Sequence, residues 1–298
     1  MNSLTKAAGW LMLSLSWLAM SAQDSLQHSL LWKISGNQLR EPSYLFGTIH
    51  MIPAADFFLP KGTEECLINS SSVVMELDLS EAGDLDNMLP IMDKIFMEGD
   101  TTLADLLSPE EYMLVSESLE KMGLPMMFFE RMKPMFLSAM ASPEMNPTQL
   151  QDGSVKSYEL EFAALAKKYK KKVKGLETVA FQISVFDSIP YSVQAKMLIQ
   201  AMKSTDGAEG SLEKMVQLYK SQNLNLLQDA FQDDSDGLRP YMSVLLNNRN
   251  QNWIPVMKNM MDQGSCFFAV GAGHLAGKAG VIELLKKEKY QVEPVSQL

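Results

Sequence analysis

Apolar residues in this chain fall into short runs that are separated by turn residues or by longer stretches with helical spacing. Two of these runs, at 30–35 and 43–50, flank the turn dipeptide Gly36-Asn37 and predict a β-hairpin. Four more apolar runs predict strands at 73–77, 172–177, 266–270 and 291–295. The pattern therefore predicts a sheet whose strands are contributed by both ends and the middle of the chain.

Helical signals lie between the predicted strands. Ser108 has the character of an N-cap, with Pro109 at the first helical position and the acid Glu111 three residues after the serine. From Val155 onward the apolar residues recur at helical spacing. Helices are also predicted at 61–69, within 189–262 and at 279–287. This order of elements predicts the α/β fold class, as a single domain with a central sheet and helical insertions.

The first residues have the pattern of an export signal. Lys6 supplies a positive charge, and residues 7–20 are apolar apart from two serines. Ala19 and Ser21, or alternatively Ala22, are small enough for a cleavage site. The apolar run of about 14 residues is shorter than the roughly 20 that a spanning helix needs. We therefore expect a signal peptide over 1–22, a mature domain over 23–298, periplasmic or secreted localisation, and no stable membrane anchor after cleavage. An uncleaved N-terminal anchor is the alternative.

Net charge and cysteine usage restrict the partners and the redox state. The formal net charge of −10 over 298 residues argues against nucleic acid or an anionic membrane surface as a partner. Cys66 and Cys266 are the two cysteines of the chain. In an oxidising compartment one bridge between them is the expectation, and two buried free thiols are the alternative.

Two of the three histidines share one local motif. Gly47-Thr48-Ile49-His50 and Gly271-Ala272-Gly273-His274 each follow an apolar strand, and each precedes a loop, a helix and another strand. Glycine lets the backbone leave a strand sharply and lets a ligand or another loop approach closely. Functional groups in open α/β sheets collect beyond the carboxyl ends of the strands. His50 and His274 are therefore predicted to share one site with two glutamates at strand ends, Glu76 and Glu177.

Two imidazoles with one or two carboxylates favour a divalent metal that keeps one position open for water. We predict His50, His274 and Glu76 as the ligands, and Glu177 as a further ligand or as the general base. Manganese or cobalt is expected, with zinc as an alternative, because extra carboxylate ligands suit the first two better. For each residue taken alone, the alternative is a hydrogen-bonded structural role.

Several stretches together resemble a known family. They are Leu31-Trp32-Lys33-Ile34, Tyr44 to His50, Ser157-Tyr158-Glu159, Gly175-Leu176-Glu177-Thr178, Ile189-Pro190-Tyr191 and Val270 to Leu275. In these stretches the chain resembles the TraB/GumN family, which is related to the Tiki proteases, from about residue 30 to the end. The resemblance implies an erythromycin-esterase/ChaN-like fold with both histidines and a strand-end glutamate at one site. It also implies metal-dependent peptidase activity, and other relatives are linked to shutting down peptide pheromone signals.

The same resemblance extends to Arg249-Asn250 and Trp253, which match an Arg-Asn-x-x-Trp stretch of the family. Arg249 is therefore a candidate to bind a substrate carboxylate or to steady a developing oxyanion, and a structural ion pair is the alternative. Tiki proteins are membrane-anchored, whereas no anchor is expected here, so their substrate is not carried over.

Three hypotheses of function follow. The first is an exported metal-dependent hydrolase that acts on a peptide or protein substrate. The second is a non-catalytic protein that binds a peptide, haem or a metal. The third is a metal-free esterase-like hydrolase in which His50 or His274 is the base. Metal content separates the first hypothesis from the third, and turnover of mixed peptides separates the first from the second.

Overall fold

The strands predicted from the apolar runs form one six-stranded mixed sheet in the computed structural model. The structure describes residues 28–78, 92–141, 150–203, 208–231 and 239–295, so the predicted signal peptide at 1–22 lies outside the described residues. In chain order the strands are β1 (Leu31–Gly36), β2 (Ser43–Thr48), β3 (Ile52–Pro53), β4 (Ser72–Met75), β5 (Val155–Lys156), β6 (Lys172–Gly175), β7 (Cys266–Gly271) and β8 (Tyr290–Pro294). The order across the sheet is β6-β4-β7-β2-β1-β8, while β3 and β5 form a separate antiparallel pair.

Four neighbouring strands run in the same direction. β2 is parallel to β7, β7 to β4, and β4 to β6. β1 is antiparallel to β2, as the hairpin prediction requires, and β8 is antiparallel to β1. The carboxyl ends of β2, β4, β6 and β7 therefore lie along one edge of the sheet, which is the arrangement that collects functional groups in α/β proteins.

Helices cover the sheet and form a second packed layer beside it. They are α1 (Thr63–Ile68), α2 (Leu103–Leu106), α3 (Pro109–Lys121), α4 (Pro134–Ala141), α5 (Tyr158–Lys168), α6 (Val179–Val185), α7 (Tyr191–Lys203), α8 (Ala208–Lys220), α9 (Leu224–Phe231), α10 (Asn248–Gln263) and α11 (Val281–Lys287). The predicted capping box is confirmed, because Glu111 N–H donates to Ser108 Oγ and Ser108 N–H donates to the Glu111 carboxylate. Mixed α/β architecture with one central sheet in a single domain is thus confirmed.

The helix predicted from Val155 begins three residues later than expected. Val155 and Lys156 are extended and pair with Pro53 and Ile52 as β5. Ser157 is the N-cap of α5, since its side chain accepts from Leu160 N–H. Val155 fits the helical spacing but belongs to the short strand β5, so the apolar periodicity predicts a helix that starts too early.

Two hydrophobic clusters hold the described part of the chain together. The larger one lies around the sheet, where the buried rings of Phe46, Phe162 and Phe267 are in contact. The smaller one joins α3, α4 and α7 through residues such as Leu119, Leu137 and Leu198. Among the described residues, no helix combines the length and apolar character needed to cross a membrane.

The expected bridge between Cys66 and Cys266 is wrong, because both residues are buried free cysteines. Cys266 begins β7, and its thiol lies 3.5 Å from Ser72 Oγ on the neighbouring strand β4. Cys66 is packed into the core from α1 and is 3% exposed. An even cysteine count does not show where the thiols point, and burial raises the pKa of both thiols, that of Cys66 to about 11.

Candidate active site

All four predicted strand-end residues lie along the carboxyl edge of the parallel strands. Glu76 directly follows β4, and Glu177 lies two residues beyond β6. His50 lies two residues beyond β2, and His274 is in the short 3-10 turn Ala272–His274 that follows β7. Because these strands are neighbours and parallel, the structure brings the two Gly-x-x-His loops to adjacent positions on one edge.

Gly47 allows the two loops to approach each other closely. A Cβ atom at this position would lie 3.0 Å from Leu275 Cδ2 and 3.2 Å from Ala272 Cα, which is tighter than ordinary contact. The Gly47 carbonyl also accepts a 2.8 Å hydrogen bond from the buried Tyr219 hydroxyl of α8. The first motif is therefore held against the second by packing on one side and by α8 on the other.

Arg249 of α10 connects three residues of this edge. Its Nη2 donates to Glu76 Oε2 and Glu177 Oε1, both at 2.5 Å, and its Nη1 lies 3.2 Å from His274 Nε2. Trp253 Nε1 donates to the second oxygen of Glu177 at 2.9 Å. The side chains are largely buried, with 10% exposure for Arg249, 13% for Glu76 and 4% for Glu177. Arg249 is thus an ion-pair partner of both predicted glutamates.

His274 is held in one orientation by its two ring nitrogens. Nδ1 lies 2.6 Å from Asn250 Oδ1, and Asn250 Nδ2 donates to the Ala279 carbonyl at 2.9 Å, which fixes the direction of the amide. Nδ1 therefore carries the proton, and Nε2 accepts from Arg249. Burial lowers the pKa of His274 to about 4 and outweighs the opposing effect of Glu76. The imidazole is consequently neutral at neutral pH.

Glu76 is ionised although it is buried. Burial by itself raises its pKa, but the charges of His274, Arg249 and His50 outweigh burial and bring the pKa down to about 2. His274 contributes a charge there because it is protonated below its own pKa of about 4. The Gly271 N–H adds a 2.9 Å hydrogen bond to Oε1. The site therefore contains a carboxylate with a fixed orientation next to a neutral imidazole.

His50 differs from His274 in exposure and in its partner. Its side chain is 75% exposed, and Nδ1 lies 3.2 Å from Glu159 Oε1 at the start of α5. This hydrogen bond is the largest cause that raises the pKa of His50 to about 9. The two motif histidines thus have opposite charge states at neutral pH, His50 being protonated and His274 neutral.

The predicted metal ligands are brought together only in part. His274 Nε2 and Glu76 Oε1 lie 3.8 Å apart, and a neutral imidazole beside an ionised carboxylate is donor chemistry that suits a divalent ion. Arg249 lies against the same imidazole nitrogen, while His50 pairs with Glu159. Within the described ranges, no group of three His, Cys, Asp or Glu side chains is arranged to hold a metal ion. The donor pair fits a metal, and the three-ligand set with His50 stays a prediction.

Sequence reasoning did not single out three residues that contact the predicted site. Glu159 contacts His50, Asn250 contacts His274, and Gln182 Nε2 donates to Glu76 Oε2 at 3.3 Å. Glu159 and Asn250 lie in stretches that resemble the family, and this resemblance could have identified them as candidate site residues. Gln182 is an ordinary residue of α6 whose position next to β4 follows only from the tertiary structure.

A surface cavity adjoins the second motif. It has a volume of about 340 Å³ and is lined by residues that include Met242, Leu246, Asn247, Gly273 and Lys278. Among its described lining residues are one cation and several amides but no carboxylate. This volume is at the lower end of the range for small-ligand sites, which is about 300–1,000 Å³.

The fold and the geometry define the class of this protein: an α/β protein with a largely buried cluster of charged and polar side chains at the carboxyl edge of its parallel strands. The chain belongs to the TraB/PrgY/gumN family, whose sequence profile matches residues 30–294. No solved structure is significantly similar to the chain.

Curated relatives with similar sequences are named metalloproteases. Metalloprotease TIKI1 of Danio rerio is 24% identical over 317 residues, covering 89% of this chain and 63% of the relative. Metalloprotease TIKI2 of Xenopus tropicalis is 24% identical, covering 91% and 60%, and Metalloprotease TIKI1 of Homo sapiens is 23% identical, covering 91% and 63%. The chain therefore spans about three fifths of the length of these relatives.

Proposed function

We propose that this chain is an exported, metal-dependent hydrolase that cleaves peptide bonds at the carboxyl edge of its parallel strands. The observation that carries the proposal is the convergence of both Gly-x-x-His loops, Glu76 and Arg249 at that edge. Support also comes from the relatives that are named metalloproteases, whose sequences are distant but are similar to this chain over most of its length. A peptide or protein is the proposed substrate.

Glu76 and His274 would hold the metal, with His50 as the proposed third ligand once it has released the proton that its raised pKa leaves on it at neutral pH. A bound divalent ion, manganese or cobalt rather than zinc, would polarise the scissile carbonyl and lower the pKa of a water. Glu76 supplies negative charge that two hydrogen-bond donors, Gly271 N–H and Arg249, keep in a fixed direction. His274 offers a neutral ring whose Nδ1 is committed to Asn250, so that Nε2 is its reactive nitrogen.

Arg249 and Glu177 have different proposed roles. Arg249 is the cation of the site and would face the oxygen on which negative charge develops during hydrolysis. Both oxygens of Glu177 are occupied, by Arg249 and by Trp253 Nε1, and the side chain is only 4% exposed. We therefore assign Glu177 to orienting Arg249 rather than to proton transfer.

The cavity beside Gly273 is the proposed place for a neighbouring part of the peptide. Its apolar lining residues Met242 and Leu246 suit an aliphatic or aromatic side chain, and the amide of Asn247 suits the peptide backbone. Gly273 of the second motif and Asn250, the partner of His274 Nδ1, both line the cavity, so a side chain bound there would lie near the second motif.

A metal-free hydrolase is the second candidate, and one contact favours it. Arg249 Nη1 lies 3.2 Å from His274 Nε2, so the guanidinium occupies one side of the donor pair. In this mechanism Arg249 takes the electrostatic role of the ion, and the exposed His50 acts as the base above its raised pKa of about 9. Strongly alkaline optima and indifference to chelators would mark this alternative.

The test combines a peptide-library digest with metal analysis of purified protein. We expect turnover that is abolished by a chelator and restored best by Mn²⁺ or Co²⁺. His50→Ala and His274→Ala should each lose activity and metal, whereas His28→Ala should not, because the His28 ring hydrogen-bonds Asn223 and not a side chain of the proposed site. Unchanged hydrolysis in chelator would favour the metal-free mechanism. Absence of turnover with bound metal would favour a binding protein.

A further inference from the structure

Glu159 occupies a fixed position beside the first Gly-x-x-His loop. It is the second helical residue of α5, directly after Tyr158, which is fully buried and donates to the Phe58 carbonyl at 2.7 Å. Ser157 Oγ donates to Glu159 Oε2 at 3.0 Å. The helix N-terminus also favours a negative charge at this position. The backbone and the carboxylate of Glu159 are thus both restrained.

The other oxygen of this carboxylate contacts two residues of the motif. Glu159 Oε1 accepts from Thr48 Oγ1 at 3.0 Å and lies 3.2 Å from His50 Nδ1. In the part of the chain that the structure describes, Glu159 is the only side chain that hydrogen-bonds the His50 ring. An imidazole that is 75% exposed and otherwise unrestrained would lose rotamer freedom on binding substrate or metal.

We infer that Glu159 is the positioning residue of His50, holding Nδ1–H so that Nε2 is the nitrogen presented to the reaction. The inference deepens the proposed function and rests on it for the consequence in catalysis. It assigns Glu159 no contact with substrate. A carboxylate that binds the second nitrogen of a functional histidine fixes its tautomer and ring direction, whether that histidine is a ligand or a base.

The second motif has the same arrangement with a different partner. Asn250 Oδ1 lies 2.6 Å from His274 Nδ1, as Glu159 Oε1 lies near His50 Nδ1. Each partner comes from a helix, Glu159 from α5 and Asn250 from α10. Both rings are thus held through Nδ1, one by a carboxylate and one by an amide.

Kinetics of three substitutions test the role of Glu159. Glu159→Ala should lower kcat about 10–100-fold, the usual cost of losing such a partner, with little change in KM because substrate is not contacted. Glu159→Gln should recover part of kcat, since its amide oxygen still accepts from Nδ1–H. Glu159→Asp should recover less, because its carboxylate is one methylene shorter. Glu161→Ala is the matched control on α5, since Glu161 pairs with Lys156 at the surface.

Proton NMR provides a readout that does not depend on turnover. The chain has only three histidines, so imidazole N–H resonances can be assigned with His28→Ala, His50→Ala and His274→Ala. We expect a protected His50 Nδ1–H resonance in the wild type and in Glu161→Ala. It should persist at least in part in Glu159→Gln and disappear in Glu159→Ala, with unchanged melting temperatures.

The outcomes separate this inference from the proposed function. A His50 Nδ1–H resonance that survives in Glu159→Ala overturns the inference, as does a kcat that stays within about two-fold of wild type. A kcat loss that is accompanied by an equal loss of folded protein in both Glu159→Ala and Glu159→Gln also overturns it. If the wild type cleaves no peptide, the proposed function fails, but the NMR comparison still decides whether Glu159 holds His50.

Discussion

Arg249 compensates the negative charges of the two buried carboxylates of the site, Glu76 and Glu177. It faces two carboxylates that are at most 13% exposed, and no other described lysine or arginine forms an ion pair with Glu76 or Glu177. His274 lies 3.8 Å from Glu76 but is neutral at neutral pH. Removal of one partner from a buried ion pair leaves an uncompensated charge, which costs more than the pair itself contributes. The guanidinium also contacts three partners at once, which a lysine ammonium cannot reproduce.

Arg249→Leu should therefore lower the free energy of unfolding by about 3–5 kcal/mol, and Arg249→Lys should restore only part of it. Urea unfolding at neutral pH in chelator measures both. Lys258→Ala is the matched control, because Lys258 lies on the same helix α10 but forms a surface pair with Glu288. A loss in Arg249→Leu no larger than in Lys258→Ala would contradict the network.

His274 links stability to pH. Its pKa is about 4 in the folded chain against 6.5 in the unfolded chain, so between these values only the unfolded chain takes up the proton. The contribution of His274 to stability is present above pH 6.5 and is lost as the pH falls toward 4. Glu76, with a folded pKa of about 2 against 4.5, has the same sign, and its contribution is lost between those values. His50 has the opposite sign, because its raised pKa makes its contribution disappear as the pH rises through about 9.

We predict that the free energy of unfolding falls as the pH is lowered from 6.5 to 4.5, with a slope of up to about 1.4 kcal/mol per unit from His274. His274→Gln should flatten this slope, whereas His28→Gln should leave it as in the wild type. Denaturant unfolding of the metal-free protein at several pH values tests this. Equal slopes for wild type and His274→Gln would show that the imidazole is not buried neutral.

At the scale of elements, the positions of the parallel strands could be predicted from the sequence alone. β2, β4 and β7 are buried on both faces, so each is a near-continuous apolar run that can be located without a structure. The residues that directly follow such runs could therefore be predicted to share an edge, which places Glu76 and the two histidines. The role of Glu159 could not be predicted in this way. It lies 109 residues from His50, and an acid in the first turn of a helix is common without any such partner.

The two motif glycines should differ in their tolerance of alanine. A Cβ at Gly47 would lie 3.0–3.2 Å from Leu275 and Ala272, whereas one at Gly271 would lie 3.4 Å from Glu76 Oε1 and 3.6 Å from His274 Cδ2. We predict that Gly47→Ala costs about 1–3 kcal/mol, because backbone and packed side chains would have to shift. Gly271→Ala occupies the equivalent motif position in the neighbouring strand and serves as the control, with a smaller loss. Thermal unfolding of both variants measures this, and equal losses would contradict the contact geometry.

At the scale of the whole molecule, export is the part of the proposal that concerns residues outside the described ranges. We predict that material from the periplasm or medium begins near Ala22 or Gln23. N-terminal sequencing or intact mass provides the measurement. Leu13→Arg, which places a charge in the apolar run, should leave the chain uncleaved and unexported. An intact Met1 in exported wild-type protein would contradict the predicted cleavage.

The strand order has a consequence for when the site comes into existence. β2 lies between β1 and β7, and β1 pairs with β8, so the earliest and latest strands of the chain are neighbours in the sheet. A growing polypeptide that has reached Gln263 already contains His50, Glu76 and Arg249, but it lacks β7 and His274. Synthesis must therefore be almost complete before the two loops can meet. If the proposed hydrolase activity requires both loops, an emerging chain cannot have that activity until β7 and the second motif have been made.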